Sequence, residues 1–267
     1  MNFFPNAKIN LGLNITEKRT DGFHNLESVF VPVLWNDELE IIESDQTSFV
    51  SSGIEIPGEP NENLCLKAFY LVQSEFKLPP VRIHLKKNIP IGAGLGGGSS
   101  DAAFVIKGIN EMFELNMNVE QMQNFARKLG SDCAFFIKNE PVFAFGKGDE
   151  FAPINIDLSN KYLVLVYPNV HVSTAQAYSG VKPKKPEYSL KDIINMPIKD
   201  WRSFMKNDFE QSIFKAFPKL YRLKQDLYSL GALYASMSGS GSTIFGIFEG
   251  IPPRIKVKDA QIHICKL

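Results

Sequence analysis

The chain has 267 residues, 44% hydrophobic and 22% charged, which suits a soluble globular protein of one large domain or two modest ones. Its 29 basic and 29 acidic residues cancel, so no global field draws it to nucleic acid or to an anionic membrane, and no apolar run nears the roughly 20 residues that span a bilayer. Three widely spaced cysteines, Cys65, Cys133 and Cys265, offer neither a disulfide framework nor the ligand pairs of a zinc site, and residues 1–8 lack the features of a signal peptide, so a cytoplasmic protein with reduced thiols is expected.

Ile9, Leu11, Leu13 and Ile15 alternate with Lys8, Asn10, Gly12 and Asn14. That is the pattern of a half-buried strand over residues 7–16, with Lys8 and Asn10 on its polar face. Thr20-Asp21-Gly22 signals a turn, and Phe23 and His24 open a strand through Val29-Phe30-Val31. Further strands are predicted at 39–42 and at Phe49-Val50, the latter inside a turn-rich stretch over 45–59. Leu64, Ala68, Leu71 and Val72 form the apolar stripe of a helix over 61–76, capped by Asn61 or Asn63. A strand at 81–85 leads into a glycine-rich loop, followed by helices over 99–113 and 119–129. Gly130-Ser131-Asp132 then breaks the pattern before the apolar residues 133–137. Strands follow at 142–145 and 162–167, and a helical turn at 175–181 precedes a proline-bounded loop at 183–186. Helices cover 201–217, interrupted near Asp208, and 219–230. The remaining strands are predicted at 234–237, 243–248, 254–257 and 261–264. The mixture is α+β, without the regular strand–helix alternation of a doubly wound sheet. A composition shift near Pro153 divides the chain into residues 1–153 and 154–267.

The stretch Pro90-Ile91-Gly92-Ala93-Gly94-Leu95-Gly96-Gly97-Gly98-Ser99-Ser100 places five glycines within seven residues, between a strand and a helix. Residues without a Cβ let several backbone N–H groups converge on one point. The helix that follows aims its positive end and its unpaired N–H groups at the same point. Ser99 and Ser100 add hydroxyl donors that can also reach a metal on bound phosphates. Five glycines impose a large entropic cost on folding, which argues against a plain flexible linker. A P-loop would end in Gly-Lys-Ser/Thr, and no lysine is present. A Rossmann fingerprint would follow the first strand of a parallel sheet. The loop therefore reads as a different kind of phosphate cradle.

This loop resembles motif 2 of the GHMP kinases. Asn6-Ala7-Lys8-Ile9-Asn10-Leu11 is similar to the family's N-terminal motif, Ser238-Gly239-Ser240-Gly241-Ser242 to its glycine motif 3, and Gly130-Ser131-Asp132-Cys133-Ala134-Phe135-Phe136 to a Gly-Ala-Asp-Val-Pro-Phe-Phe stretch. Asp21-Gly22-Phe23-His24 resembles an element of the members that act on a cytidine-diphosphate-linked methylerythritol. The matches keep family order from residue 6 to about 248. Cys133 and Ala134 depart from the usual Val-Pro, and the tail after Phe248 is short.

The resemblance implies two α+β domains, the first like the second domain of ribosomal protein S5 and the second ferredoxin-like. It implies ATP and Mg²⁺ as cofactors, with no protein ligand of the metal assigned, and phosphoryl transfer to a tertiary 2-hydroxyl of that small molecule. No nucleic-acid or membrane partner is expected, and the protein is expected as a monomer or homodimer. Asp132 is the implied base and Lys8 its partner. On sequence alone, a turn or cap role for Asp132 stands beside catalysis, and Lys8 on a strand's polar face ordinarily reads as a solvated lysine. Phe23, His24 and Tyr178 are implied at the cytidine, where aromatic faces stack and a histidine bonds the polar edge. Asn10, Ser238, Gly239 and Ser240 join them at the substrate. Pro90, Gly92, Gly94, Leu95, Gly96, Gly97, Gly98, Ser99 and Ser100 are implied at the triphosphate, with Asn63 near adenine and Lys87 near phosphate or ribose. Read without the family, Asn63 is a helix cap and Lys87 a surface charge at a strand end.

Overall fold

In chain order the strands are β1 (Asn2–Phe3), β2 (Asn6–Lys18), β3 (His24–Asn36), β4 (Glu38–Glu43), β5 (Ser48–Gly53), β6 (Val81–Lys87), β7 (Val142–Phe145), β8 (Glu150–Pro153), β9 (Tyr162–Tyr167), β10 (Tyr234–Met237), β11 (Ile244–Phe248) and β12 (Gln261–Lys266). The helices are α1 (Leu64–Phe76), α2 (Gly97–Met112), α3 (Val119–Leu129), α4 (Phe135–Lys138), α5 (Thr174–Ser179), α6 (Leu190–Ile193), α7 (Trp201–Phe204), α8 (Glu210–Ala216) and α9 (Pro218–Ser229). The computed structural model describes residues 1–59 and 62–267. The proposed cap at Asn61 lies outside them. The chain divides into two units, each drawing on separated stretches: Met1–Ala7, Trp35–Ile91 and Gly96–Glu140 form one, and Lys8–Leu34, Gly92–Leu95 and Pro141–Leu267 the other.

The first unit carries a sheet in the order β1-β4-β6-β5, antiparallel except for the β5–β6 pair. In β6, Val81, Ile83, Leu85 and Lys87 are buried while Arg82 and Lys86 are exposed. The period of two therefore carries Lys87 inward with the apolar residues. Helices α1, α2, α3 and α4 pack on one another, and α2 also lies against β4. The approach is close at Gly108, where a Cβ would sit 2.7 Å from the Phe3 ring and 2.9 Å from Ile41. Asn63 caps α1, its Oδ1 accepting from Cys65 N at 2.8 Å.

The second unit holds two four-stranded sheets, β2-β3-β7-β8 and β10-β11-β9-β12. The latter is antiparallel throughout. Helix α9 lies on β10 and β11 and packs against α8, as expected of a ferredoxin-like layer. The core joins Leu13, Ile15 and Leu26 to Val164, Val166, Phe209, Ile213, Leu220 and Ile244.

Two sequence expectations change. Residues 6–15 of β2 are all buried, so the strand is not half-exposed; Lys8, Asn10 and Asn14 are polar residues inside the protein. Residues 254–257 form no strand. Both flanks of β9 are already occupied by β11 and β12, and Ile255 and Val257 rest partly buried on the core without a ladder. Short β8 and α6 were not foreseen. Among the described residues no helix is long and apolar enough to cross a membrane.

Candidate active site

The second unit assembles the N-terminal motif, motif 3 and the middle of the glycine loop. Lys8, 3% exposed, donates from Nζ to Asn10 Oδ1 at 2.6 Å and lies 4.7 Å from the centre of the Phe30 ring. Asn10 Nδ2 donates to Ser28 Oγ at 3.0 Å, and Ser28 Oγ donates to Gly12 O at 2.6 Å. The Lys8 backbone N–H donates to Leu95 O at 2.9 Å. Gly94 has φ +78°, and a Cβ there would stand 2.1 Å from Ser238 O; only glycine allows that approach. Ser238 Oγ donates to Gly94 O at 2.8 Å, and Thr243 N donates to Ala93 O at 3.1 Å. Gly239 faces Asn10, its missing Cβ 3.3 Å from Asn10 Oδ1. Ser240 is half-buried at the tip of this arch.

The aromatic group lies in the same unit. The His24 and Tyr178 rings stack with centroids 4.8 Å apart and planes at 27°, and Tyr178 meets Phe209 edge-on at 4.9 Å. Phe23 is 55% exposed, with Lys147 Nζ 5.1 Å from its ring centre. The turn that presents it is held by Asp21, whose Oδ1 accepts from Phe23 N at 3.1 Å and which pairs with Arg19 at 2.8 Å.

The first unit holds the end of the loop and the start of α2. Gly96 precedes the helix at φ +71°, and the first intrahelical bond runs from Ser100 N to Gly96 O. The N–H groups of Gly97, Gly98 and Ser99 come before that bond, where a helix leaves donors for an anion. Ser100 Oγ is buried and has no hydrogen-bond partner in the protein. Such an orphaned hydroxyl fits a site that a ligand completes. Asp132 is half-buried in the turn between α3 and α4. It does not cap α4, whose N-cap is Ala134. Next to it, burial pushes the Cys133 thiol up to about 11, against a hydrogen bond with Ser99.

Lys87 is not a surface charge. It is 3% exposed, and its Nζ is paired with Asp37 Oδ2 and, at 2.6 Å, with Asp101 Oδ2. Asp37 Oδ1 also accepts from Asn88 N at 2.6 Å and Ile89 N at 2.8 Å. Gly97 leaves just 2.9 Å between its would-be Cβ and Lys87 Nζ. This clasp joins residues 88–89, before Pro90, to the first turns of α2, so it ties the two ends of the glycine loop together. Burial, and secondarily the Asp37 charge, push the Asp101 carboxyl up to about 8 against the opposing pull of Lys87. Burial also lowers the Lys87 ammonium, but the two carboxylates outweigh it and leave Lys87 raised.

Within the second unit, then, Lys8, Asn10, Gly94, Leu95, Ser238 and Gly239 come together, as do His24 and Tyr178. Within the first, Gly97 and Lys87 meet, and Ser99 meets the residue beside Asp132. Asn63 is a helix cap. Sequence reasoning missed Ser28 and Asp37, since no spacing rule links Asp37 to a lysine fifty residues on. Among the described residues no cluster of three histidine, cysteine or acidic side chains could hold a metal. Backbone N–H groups suit the phosphates of a nucleotide, and serine hydroxyl oxygens suit a cation that arrives on those phosphates and keeps its waters.

Two family models match the chain: the GHMP kinases N terminal domain over residues 63–140 and the GHMP kinases C terminal domain over 189–260. A protein of Bacteroides fragilis named 4-diphosphocytidyl-2-C-methyl-D-erythritol kinase is 55% identical over 250 residues, covering 92% of this chain and 91% of that one. A protein of the same name from Cytophaga hutchinsonii is 49% identical over 263 residues, covering 98% and 97%. The crystal structure of a 4-(cytidine 5'-diphospho)-2C-methyl-D-erythritol kinase is similar at a TM-score of 0.81 and 31% identity, covering 94% of this chain and 91% of the other.

Proposed function

Since the chain belongs to the GHMP kinase family, we propose that it transfers the γ-phosphoryl group of ATP to the 2-hydroxyl of 4-diphosphocytidyl-2-C-methyl-D-erythritol, in the non-mevalonate route to isoprenoid precursors. The observation that carries this is identity of 49–55% to relatives of that activity, spanning nearly the whole of both chains.

In the reaction the substrate oxygen bonds to the γ-phosphorus, the bond from that phosphorus to the β-bridging oxygen breaks, and ADP leaves. Catalysis consists of alignment, charge neutralisation and a destination for the hydroxyl proton. Asp132 receives that proton and Lys8 stabilises its anionic form. The buried Lys8–Asn10 hydrogen bond supports this reading, because it fixes a charged amine that would otherwise be solvated. Residues from Pro90 to Ser100 cradle the triphosphate, and Asn63 stands near the adenine. When bound with ATP, Mg²⁺ would supply charge neutralisation at the phosphates, and the Ser99 and Ser100 hydroxyls are the groups that would reach it. Phe23, His24 and Tyr178 receive the cytidine; the observed His24–Tyr178 stack supports a shared aromatic platform. Asn10, Ser238, Gly239 and Ser240 position the methylerythritol end. Lys87 acts on the nucleotide through its clasp under Gly97. This reading includes a cytoplasmic protein, monomeric or homodimeric, and family domains that part near residue 153.

The test is ADP release by purified protein with Mg-ATP, offered this substrate beside mevalonate, homoserine and galactose. Turnover with the cytidine-linked compound alone is expected. Turnover with another acceptor would keep the kinase and discard the assignment of Phe23 and His24. ATP binding without turnover on any acceptor would make the protein a non-catalytic binder.

A further inference from the structure

Between α7 and α8 lies a buried asparagine that no part of the catalytic reading uses. Asn207 is 3% exposed. Its Nδ2 donates to Met237 O and to Gly239 O, both at 2.8 Å, and its Oδ1 accepts from Phe209 N at 3.0 Å. Both amide donors are thus spent on the carbonyls that flank Ser238, at the base of the motif 3 arch.

The backbone around Asn207 is tied to β2. Asn207 forms an isolated parallel bridge with Leu13. Leu13 N donates to Lys206 O and Asp208 N donates to Leu13 O, each at 2.8 Å, and Ile15 N donates to Asp208 Oδ2 at 2.8 Å. Strand β2 is the one that carries Lys8 and Asn10. A neighbouring residue secures the arch from the same side: Glu210 Oε1 accepts from Ser236 Oγ and Met237 N at 2.9 Å, while Lys224 Nζ holds Oε2 at 2.6 Å.

We propose that Asn207 is a positioning residue for the phosphoryl transfer: it fixes the motif 3 arch against β2 and so sets the gap between Gly239 and Asn10. That gap is tight, since a Cβ on Gly239 would stand 3.3 Å from Asn10 Oδ1 and 3.2 Å from Gly94 O. A small shift of the arch moves groups assigned to the acceptor substrate. The residue must be an amide. A carboxylate of the same shape would turn acceptor oxygens toward two carbonyl oxygens and supply no donor. The proposal rests on the reading that Asn10 and motif 3 meet the acceptor substrate.

The test compares Asn207→Asp and Asn207→Ala with wild type and with Ile213→Val, a core substitution that serves as the stability control. Melting temperature, kcat, KM for the cytidine-linked substrate and the Kd of a non-hydrolysable ATP analogue are measured on each. The expected result for both Asn207 variants is a kcat lower by about 10- to 100-fold, the range for misplaced reacting groups. KM for the cytidine-linked substrate should rise several-fold, and nucleotide Kd should change less, because the arch meets the triphosphate cradle at Gly94 whereas the donors at the start of α2 belong to the other unit. Ile213→Val should lose stability without the KM shift. If Asn207→Asp does not fold, Asn207→Ala carries the test, since water can take up the two carbonyls there. Unchanged kcat and KM in a folded Asn207 variant would overturn the role, as would losses matched by Ile213→Val at equal melting temperature. Inactive wild type would overturn the functional reading instead.

Discussion

Asp132 and Asp101 show two fates of a carboxylate in this fold. Asp132 is half-buried in the turn before α4 and is not that helix's N-cap. Asp132→Ala should leave nucleotide Kd nearly unchanged and lower turnover by about 10²-fold or more, the range for loss of a general base; single-turnover ADP formation beside equilibrium ATP binding measures both, and near-normal turnover would defeat the assignment. Asp101 is buried in the clasp, facing Lys87 from β6, Asp37 from the segment before β4, and Cys65 of α1. Its folded value near 8 stands above the ordinary carboxylate value. Between those two values the folded protein holds a proton that the unfolded chain has released. Stability from this group is therefore present at low pH and is lost as pH rises toward 8. Asp101→Asn cannot release that proton. The melting temperature of wild type minus that of the variant should fall steadily from pH 5 to pH 8, and a flat difference would show that Asp101 is ionised throughout. Lys87, raised in the folded state, loses its own contribution only above its ordinary value of 10.5, outside that window.

At the scale of elements, the glycine loop works because particular glycines meet particular neighbours. Gly94→Ala would force a side chain into φ +78° and place its Cβ 2.1 Å from Ser238 O. A positive-φ alanine alone costs more than about 1 kcal/mol, and the clash adds to it, so a lower melting temperature and a loss of activity are expected together; a variant as stable and active as wild type would show that the arch and loop do not depend on this contact. The loop, α1 and most strands were legible because their signals are local: glycine density, a 3.6-residue stripe, a period of two. Long-range placement was less legible. The alternation in β2 correctly marked its strand but not its burial on both faces, which depends on elements far along the chain. Lys87 carried a usable signal, since it falls in step with Val81, Ile83 and Leu85, yet a lysine at a strand end ordinarily reads as solvated. Residues 254–257 have strand-like alternation but no free strand beside β9 to pair with. Asn207 gave no signal at all, because its meaning lies in two carbonyls thirty residues away.

The division of the whole molecule into units does not follow a single point in the sequence. The second unit's core takes Leu13, Ile15 and Leu26 from the start of the chain and packs them on Val164, Val166, Ile213 and Ile244 from its end. All three early residues are at most 8% exposed. Burying a side chain of this size contributes about 1.5–3 kcal/mol, so the three together supply roughly 5–9 kcal/mol, comparable with the 5–15 kcal/mol that separates folded from unfolded domains. Residues 154–267 made alone would lose that contribution. They would also lose the hydrogen bonds that Leu13 and Ile15 make with Lys184, Lys206 and Asp208. The family segments, although separable in sequence, are therefore not separable in folding. A fragment of residues 154–267 should show no cooperative thermal transition and should bind a hydrophobic dye. A sharp melt with full sheet content by circular dichroism would show instead that the C-terminal layer is stable without β2 and β3, and the role given to Leu13, Ile15 and Leu26 would have to be withdrawn.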